Sequence, residues 1–352
     1  MESLYPFPYS QAPQLDARIK KPRPPIHPSL AEIIDSFPLP ETLELNFMRG
    51  IGQEDSENEF VYNADTVLRR NPGLKHAEYH IPRQDGTNVI LSVFAPKAPD
   101  SASATLPLIF YMHGGGMVSG DRFGAVPEVM ELLPGNDVVF ATVEYALAPE
   151  TKAPGASEDC YNALIWAARH VHEVGFDPAK IIIIGSSGGG ALAAVISMMC
   201  RDKEELGAPL GGLMLLSPML DDRCLSLSDT QFEFGSPWST VANRQAWQHI
   251  LGDRQGTEQV TAYEAPSRST DQSPLPSTYI DVGECEIFRD AAVAFASEMW
   301  RGGSTCELHV WPGAFHLFDG MDNLEIPLIH DAVEAKRAWL RRALGSFHVK
   351  QV

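Results

Sequence analysis

Basic residues are scarce in this chain: 27 Lys and Arg stand against 46 Asp and Glu, a formal net charge of −19 over 352 residues. Such a balance repels phosphate backbones and anionic headgroups, so neither nucleic acid nor an acidic membrane is expected as a partner. The excess of acid serves solubility and names no substrate. Cysteine is also sparse. Cys160, Cys200, Cys224, Cys285 and Cys306 are odd in number and scattered, without CxxC pairs or metal-ligand spacing, and read as buried or free thiols. No run is long and apolar enough to cross a bilayer. Met1-Glu2-Ser3-Leu4-Tyr5-Pro6 lacks the basic start and apolar stretch of a secretory leader, so a reducing, cytoplasmic location is expected. Internal repeats and low-complexity tracts are missing too.

What is present is the composition of a globular protein, 44% hydrophobic and 21% charged, in a length that holds one large α/β domain or two ordinary ones. Residues 1–70 are rich in proline, with the cluster Lys21-Pro22-Arg23-Pro24-Pro25 and short amphipathic stretches such as 30–37. They read as an arm contributing to a cap, not as core. From Lys75 onward, apolar runs of strand length alternate with stretches of helical period. Strands are expected at 76–81, 89–94, 106–112, 138–143, 181–184, 213–216, 278–282 and 307–311, with helices such as 156–174, 191–200 and 332–344. Gln84-Asp85-Gly86-Thr87 is a turn suited to pairing the first two strands antiparallel. Continuous apolar strands alternating with helices predict a mostly parallel sheet covered on both faces, formed by residues 71–220 and 272–352.

Between 221 and 271 the alternation lapses, and Phe232, Phe234, Trp238 and Trp247 stand among polar residues. The segment is expected to be an insertion over the carboxyl edge of the sheet, where open α/β sheets bind ligands. Met117, Phe234, Trp238 and Phe315 are its candidate pocket residues. A peripheral helix with a small aromatic core of its own is the alternative.

The strongest chemical signal is Gly185-Ser186-Ser187-Gly188-Gly189, between the strand 181–184 and a helical run. A G-x-S-x-G sequence at a strand-to-helix turn puts the serine on a strained bend with its hydroxyl in the cleft. The following helix N-terminus favours a negative oxygen nearby. A phosphate-binding reading fails because no Lys-Ser/Thr pair and no G-x-G-x-x-G spacing occurs. Another strand ends in His113-Gly114-Gly115-Gly116, where the main chain can come close to a ligand and offer N–H groups to an oxyanion, together with Gly188. A serine nucleophile needs a base and a carboxylate to orient that base. His316, directly after the last strand, is the natural base, since His249, His309, His330 and His348 fall in the insertion, within a strand, or in or beyond the final helix. For the acid, the loop after residue 282 offers Glu284, Glu286 and Asp290. Glu286 is preferred, Glu284 is the alternative, and Asp290 reads as a helix N-cap.

Together, His113-Gly114-Gly115-Gly116, Tyr145-Ala146-Leu147-Ala148-Pro149-Glu150, the Ser187 turn, 283–290 and Phe315-His316 resemble the hormone-sensitive-lipase-like branch of the α/β-hydrolases. The resemblance spans about residues 75–345. It implies the α/β-hydrolase fold, a mostly parallel eight-stranded sheet with helices on both faces, under a helical cap built from 1–70 and 221–271. It further implies a triad of Ser187, Glu286 and His316, an oxyanion hole from Gly114, Gly115 and Gly188, and cleavage of small to medium apolar carboxylic esters without a cofactor. The chain departs from the family at Ser186 and Gly188, where Asp and Ala are usual, at Ala146 in place of Arg, and at Glu286 in place of Asp. A lactonase, transacylase, or eliminating or cyclising enzyme would carry the same motifs. A small-molecule receptor on this scaffold would lack the histidine. The oligomeric state, a homodimer included, is not readable from these motifs.

Overall fold

In the computed structural model, the structure describes residues 8–37, 41–50, 62–97, 106–135, 137–271, 273–320 and 323–347. Its centre is an eight-stranded sheet: β1 (Leu74–Pro82), β2 (Asn88–Pro96), β3 (Leu106–Met112), β4 (Val139–Glu144), β5 (Phe176–Ser186), β6 (Gly212–Leu216), β7 (Thr278–Gly283) and β8 (Cys306–Trp311). The spatial order is β1-β2-β4-β3-β5-β6-β7-β8. β2 runs antiparallel to both β1 and β4, and the remaining pairs are parallel. Each expected strand is present.

The alternation of side chains along a strand explains why the central runs are apolar throughout, while β1 and β8 at the sheet edges are mixed. Ile181 and Ile183 enter one core cluster, and Ile182 and Ile184 the other, on the opposite face. Six helices supply much of the cover for these clusters: α1 (Val126–Glu131), α2 (Gly155–Arg169), α3 (Gly188–Lys203), α4 (Thr240–Leu251), α5 (Arg289–Arg301) and α6 (Pro327–Ser346). Residues of α2, α3, α4 and α5 fill the first cluster, and those of α1 and α6 the second. The single helix expected over 156–174 breaks at His170, beyond which one short turn ends at Gly175 in the left-handed region.

The N-terminal arm is no unit apart: it meets the insertion, where Arg23 donates to the Gln231, Phe234 and Gly235 carbonyls, and it also enters the core, with Tyr9, Ala12, Leu30 and Ile34 buried in the second cluster beside Phe315, Phe318 and Trp339. Proline limits regular structure here, but the apolar residues between the prolines still seek cover, and the sheet face beside α6 supplies it. The insertion has no separate aromatic core either. Phe232, Trp238 and Trp247 join the first cluster, alongside Met117 and the strand residues. Its two ends are tied by a buried pair, Arg268 Nε and Nη2 donating to the Asp222 carboxylate at 2.7 and 3.0 Å. No helix among the described residues is long and apolar enough to cross a membrane.

The Ala146 departure is also accounted for. Asp159 on α2, nearly buried, takes a bidentate pair of hydrogen bonds from Arg83 in the β1–β2 turn, both 2.7 Å, and one from the Ala146 N–H at 2.9 Å. The guanidinium therefore comes from another element, and the carboxylate keeps its partner.

Candidate active site

The carboxyl ends of β3, β5, β6, β7 and β8 lie along one edge of the sheet, and the loops leaving them converge there. β5 passes into α3 through Ser187, whose backbone is held at φ +55°. A non-glycine residue in that region is strained, and the surroundings must enforce it. They do so by packing: a Cβ at Gly185 would lie 2.1 Å from the Gly189 carbonyl oxygen, so only glycine fits beneath the turn. The Ser187 N–H donates to the Leu216 carbonyl at 2.8 Å, and its own carbonyl accepts from Gly190 and Met219. Ser186, in place of the usual Asp, is braced by the Tyr111 hydroxyl at 3.4 Å.

His316 Nε2 stands 3.1 Å from Ser187 Oγ, and His316 Nδ1 stands 2.6 Å from Glu286 Oε2. The carboxylate can only accept, so Nδ1 carries the proton and Nε2 presents its lone pair to the serine hydroxyl. Glu286 is fully buried, and its other oxygen accepts from Ser217 Oγ at 2.9 Å and from the Gly283 N–H at 2.8 Å. A buried carboxylate requires such partners, and with three hydrogen bonds it is held in one orientation. The ring of Phe288 meets His316 edge-on at 5.2 Å.

The two rival acids are engaged elsewhere. Glu284 accepts the Gly313 N–H at 2.9 Å and so pins the turn before His316. Asp290 is not the cap of α5, where Phe288 takes that position; its carboxylate accepts the Ser228 N–H at 2.7 Å and fastens the insertion to the helix.

The glycine loop lies against the nucleophile. A Cβ at Gly114 would be 3.4 Å from Ser187 Cβ, and one at Gly188 only 2.8 Å from the Met117 nitrogen. Gly115 has φ +98°, and a Cβ there would fall 2.2 Å from the Ser119 carbonyl oxygen, so this bend also requires glycine. His113 is buried, stacked on Tyr145, and donates from Nδ1 to the Gly114 carbonyl at 2.7 Å; burial pushes its pKa below the usual value. This arrangement can activate a hydroxyl, hold the acceptor of its proton, and bring backbone N–H groups beside the reacting carbon.

The candidate pocket residues are not gathered into one wall. Trp238 presses on Gly116, to which a Cβ would come within 2.7 Å of its ring, and donates to Asn243 Oδ1 at 3.1 Å. Met117 is buried in the first core cluster, and Phe315 in the second, against Phe37 and Phe318. Phe234 lies under the Arg18 guanidinium, 4.5 Å from the ring centroid, where the arm meets the insertion. Aromatic content located the insertion, but core packing claims most of these side chains.

Sequence reasoning missed the braces around the site. Ser217 is one: Leu216-Ser217-Pro218 follows β6 at the same edge, and that position was the available signal. The arm supplies others. Tyr9 Oη donates to the Cys285 carbonyl at 3.0 Å, the Cys285 thiol to the Pro24 carbonyl at 3.4 Å, and the His27 N–H to the Gly313 carbonyl at 2.9 Å. Both the acid loop and the base loop thus rest on the arm. Burial pushes the Cys285 thiol up to about 12, so it stays protonated and can donate.

Known proteins are similar to this chain over most of its length. The family model described as alpha/beta hydrolase fold matches residues 109–320, and that described as Carboxylesterase family matches residues 7–206. The chain is 29% identical over 293 residues to Esterase LipI of Mycobacterium tuberculosis (strain ATCC 25618 / H37Rv), covering 82% of this chain and 86% of that protein. It is 28% identical over 331 residues to Carboxylesterase NlhH of M. tuberculosis (strain CDC 1551 / Oshkosh), covering 92% and 97%. Among solved structures, Bacterial Heroin Esterase superposes with a TM-score of 0.78 at 29% identity, covering 91% of this chain and 98% of the other. With more than half of its length matched and its sheet order, serine turn and converging loops in place, the chain belongs to the alpha/beta hydrolase fold family.

Proposed function

We propose that the protein hydrolyses carboxylic esters of small to medium apolar substrates through an acyl-enzyme intermediate. The observation that carries the reading is the unbroken chain Ser187 Oγ, His316, Glu286, with separations of 3.1 and 2.6 Å. Ser187 Oγ attacks the ester carbonyl carbon while His316 Nε2 takes the hydroxyl proton, and the new oxyanion is met by the N–H groups of Gly114, Gly115 and Gly188. Collapse of this intermediate breaks the carbonyl–alkoxy bond, and the imidazolium returns its proton to the departing alcohol. A water, deprotonated by the same nitrogen, then attacks the acyl-enzyme, and the acid leaves with Ser187 restored. Glu286 holds the imidazole in the required tautomer and stabilises its charged form. The esterase names of the relatives support the same reaction class.

The test is turnover of short p-nitrophenyl esters together with fluorophosphonate labelling. Ser187→Ala is expected to lower kcat by roughly 10⁴- to 10⁶-fold and abolish labelling in a folded protein. Near-native turnover by that variant refutes the proposal.

A further inference from the structure

The glycine run 114–116 carries N–H groups assigned to the oxyanion, yet it has no side chain by which to anchor itself. Gly115 and Gly116 sit at φ +98° and +62°, and glycine loses more freedom on ordering than any other residue, so their positions must be fixed from outside the run. The entry end is fixed by Tyr145, whose hydroxyl donates to the His113 carbonyl at 2.8 Å. At the exit, the Val118 and Ser119 N–H groups donate to the Gly115 carbonyl at 3.1 and 3.0 Å, and the Ala148 N–H donates to the Met117 carbonyl at 2.9 Å. Both ends of the run are thus tied to the loop after β4.

A side chain of the arm completes the exit. Arg49, in the short helix Leu45–Gly50, donates from Nε to the Val118 carbonyl and from Nη2 to the Ala148 carbonyl, both at 2.8 Å. Its Nη1 and Nη2 also meet the two oxygens of Glu150 at 2.7 and 2.8 Å. The planar fork of a guanidinium suits this role, because one rigid group can serve acceptors on two segments at once. The short helix is itself seated: Leu45 and Met48 pack on the first core cluster, and Gln245 Oε1 of α4 accepts the Leu43 N–H at 2.6 Å. Glu150 is exposed, and Arg49 holds its carboxyl down at about 2, so the pair stays ionised at any assay pH; an exposed pair contributes little on its own. Val118 and Ala148 are buried, and the bonds to their carbonyls are the ones that lead toward the reacting groups.

We infer that Arg49 is a positioning residue for the reaction: by clamping the Val118 and Ala148 carbonyls together it fixes the N–H groups of Gly114 and Gly115 against Ser187, and so brings the arm into oxyanion stabilisation. The inference rests on the esterase reading.

The test compares Arg49→Met and Glu150→Gln with the wild type on p-nitrophenyl acetate, with kcat expressed per active site titrated to completion by a fluorophosphonate, so that unfolded chains do not count. Arg49→Met should lower kcat about 10- to 100-fold, as a displaced reacting geometry does, with KM changed less than about threefold. Glu150→Gln removes the ion pair and leaves both carbonyl bonds, and should stay within about threefold of wild type. A second readout follows the oxyanion itself. Ser187 Oγ adds to the carbonyl carbon of 1,1,1-trifluoro-2-octanone, its proton passing to His316 and the carbonyl electron pair becoming an oxyanion, whereas 2-octanone binds as the ketone. In Arg49→Met, inhibition by the trifluoro ketone should weaken by the same factor as kcat/KM, and inhibition by 2-octanone should be unchanged. An Arg49→Met kcat less than about tenfold below wild type, a Glu150→Gln loss as large as that of Arg49→Met, or equal weakening of both ketones overturns the assignment, while wild-type ester turnover keeps the esterase reading. Absence of that wild-type turnover overturns the esterase reading instead, and the role of the clamp with it.

Discussion

Replacing Glu286 by Gln alters one atom and should disable the base. Of the two amide positions only the oxygen can accept, and two donors, Ser217 Oγ at 2.9 Å and the Gly283 N–H at 2.8 Å, already converge on one side of the carboxylate. The amide oxygen therefore turns to them, and the NH₂ faces His316 Nδ1, which lies 2.6 Å from the present carboxylate oxygen. An NH₂ donor there demands a lone pair on Nδ1, so the ring proton moves to Nε2 and points at Ser187. The base is then in the wrong tautomer. In a serine protease the corresponding change costs ~10⁴ in kcat, or about 5.4 kcal/mol at 1.36 kcal/mol for each factor of ten. The assay is kcat for p-nitrophenyl acetate near neutral pH, beside the matched variant Glu284→Gln. Glu284 accepts one backbone N–H, from Gly313 at 2.9 Å, and a Gln oxygen can accept the same bond, so its loss should stay under about tenfold. A Glu286→Gln enzyme within tenfold of wild type, or a Glu284→Gln enzyme that is the worse of the two, would refute the assignment.

Other outcomes are expected from the same contacts. Gly115→Ala places a Cβ 2.2 Å from the Ser119 carbonyl oxygen in a left-handed bend, and should lower kcat by about 10²–10³-fold with KM changed less, measured by steady-state kinetics. Lys336→Met leaves the buried Asp281 and Asp319 without their shared cation, and should cost about 3–5 kcal/mol in urea unfolding. Burial lowers the pKa of both His113 and His76 from the ordinary 6.5. The unfolded chain then binds protons that the folded chain does not, so stability should be full above about pH 6.5 and fall as the pH drops below it, as chemical denaturation across pH 5–8 would show. A flat profile would contradict the burial of these rings.

The strands were legible because their signal is local: runs of the right length bounded by turn residues, continuously apolar where both faces are covered, as in β3, β4, β6 and β7. Ser187 and His316 were legible because a strand end followed by a glycine-rich turn or a lone histidine is also a local pattern. The acid was less so, since three carboxylates share one loop and only the fold shows which of them turns inward. Pairings across the chain left no local trace at all. Ser217 with Glu286, Arg83 with Asp159, Lys336 with Asp281 and the buried arm residues all depend on which distant elements meet. The aromatics of the insertion announced a segment that must be covered, but not whether a ligand or the core would cover it.

The hydrogen bond from Tyr9 to the carbonyl of Cys285 joins positions 276 residues apart in sequence. Translation makes the arm long before its resting place. At about 5–20 residues per second the arm waits roughly 14–55 s before the loops it supports exist. Until then Tyr9, Leu30 and Ile34 are apolar side chains without their cover, and Glu286 and His316 have no footing. Hydrolysis should therefore appear abruptly on a ribosome, as a signal that the loops bearing Glu286 and His316 have emerged, and chains stalled before residue 285 should stay silent even though the serine turn is already made.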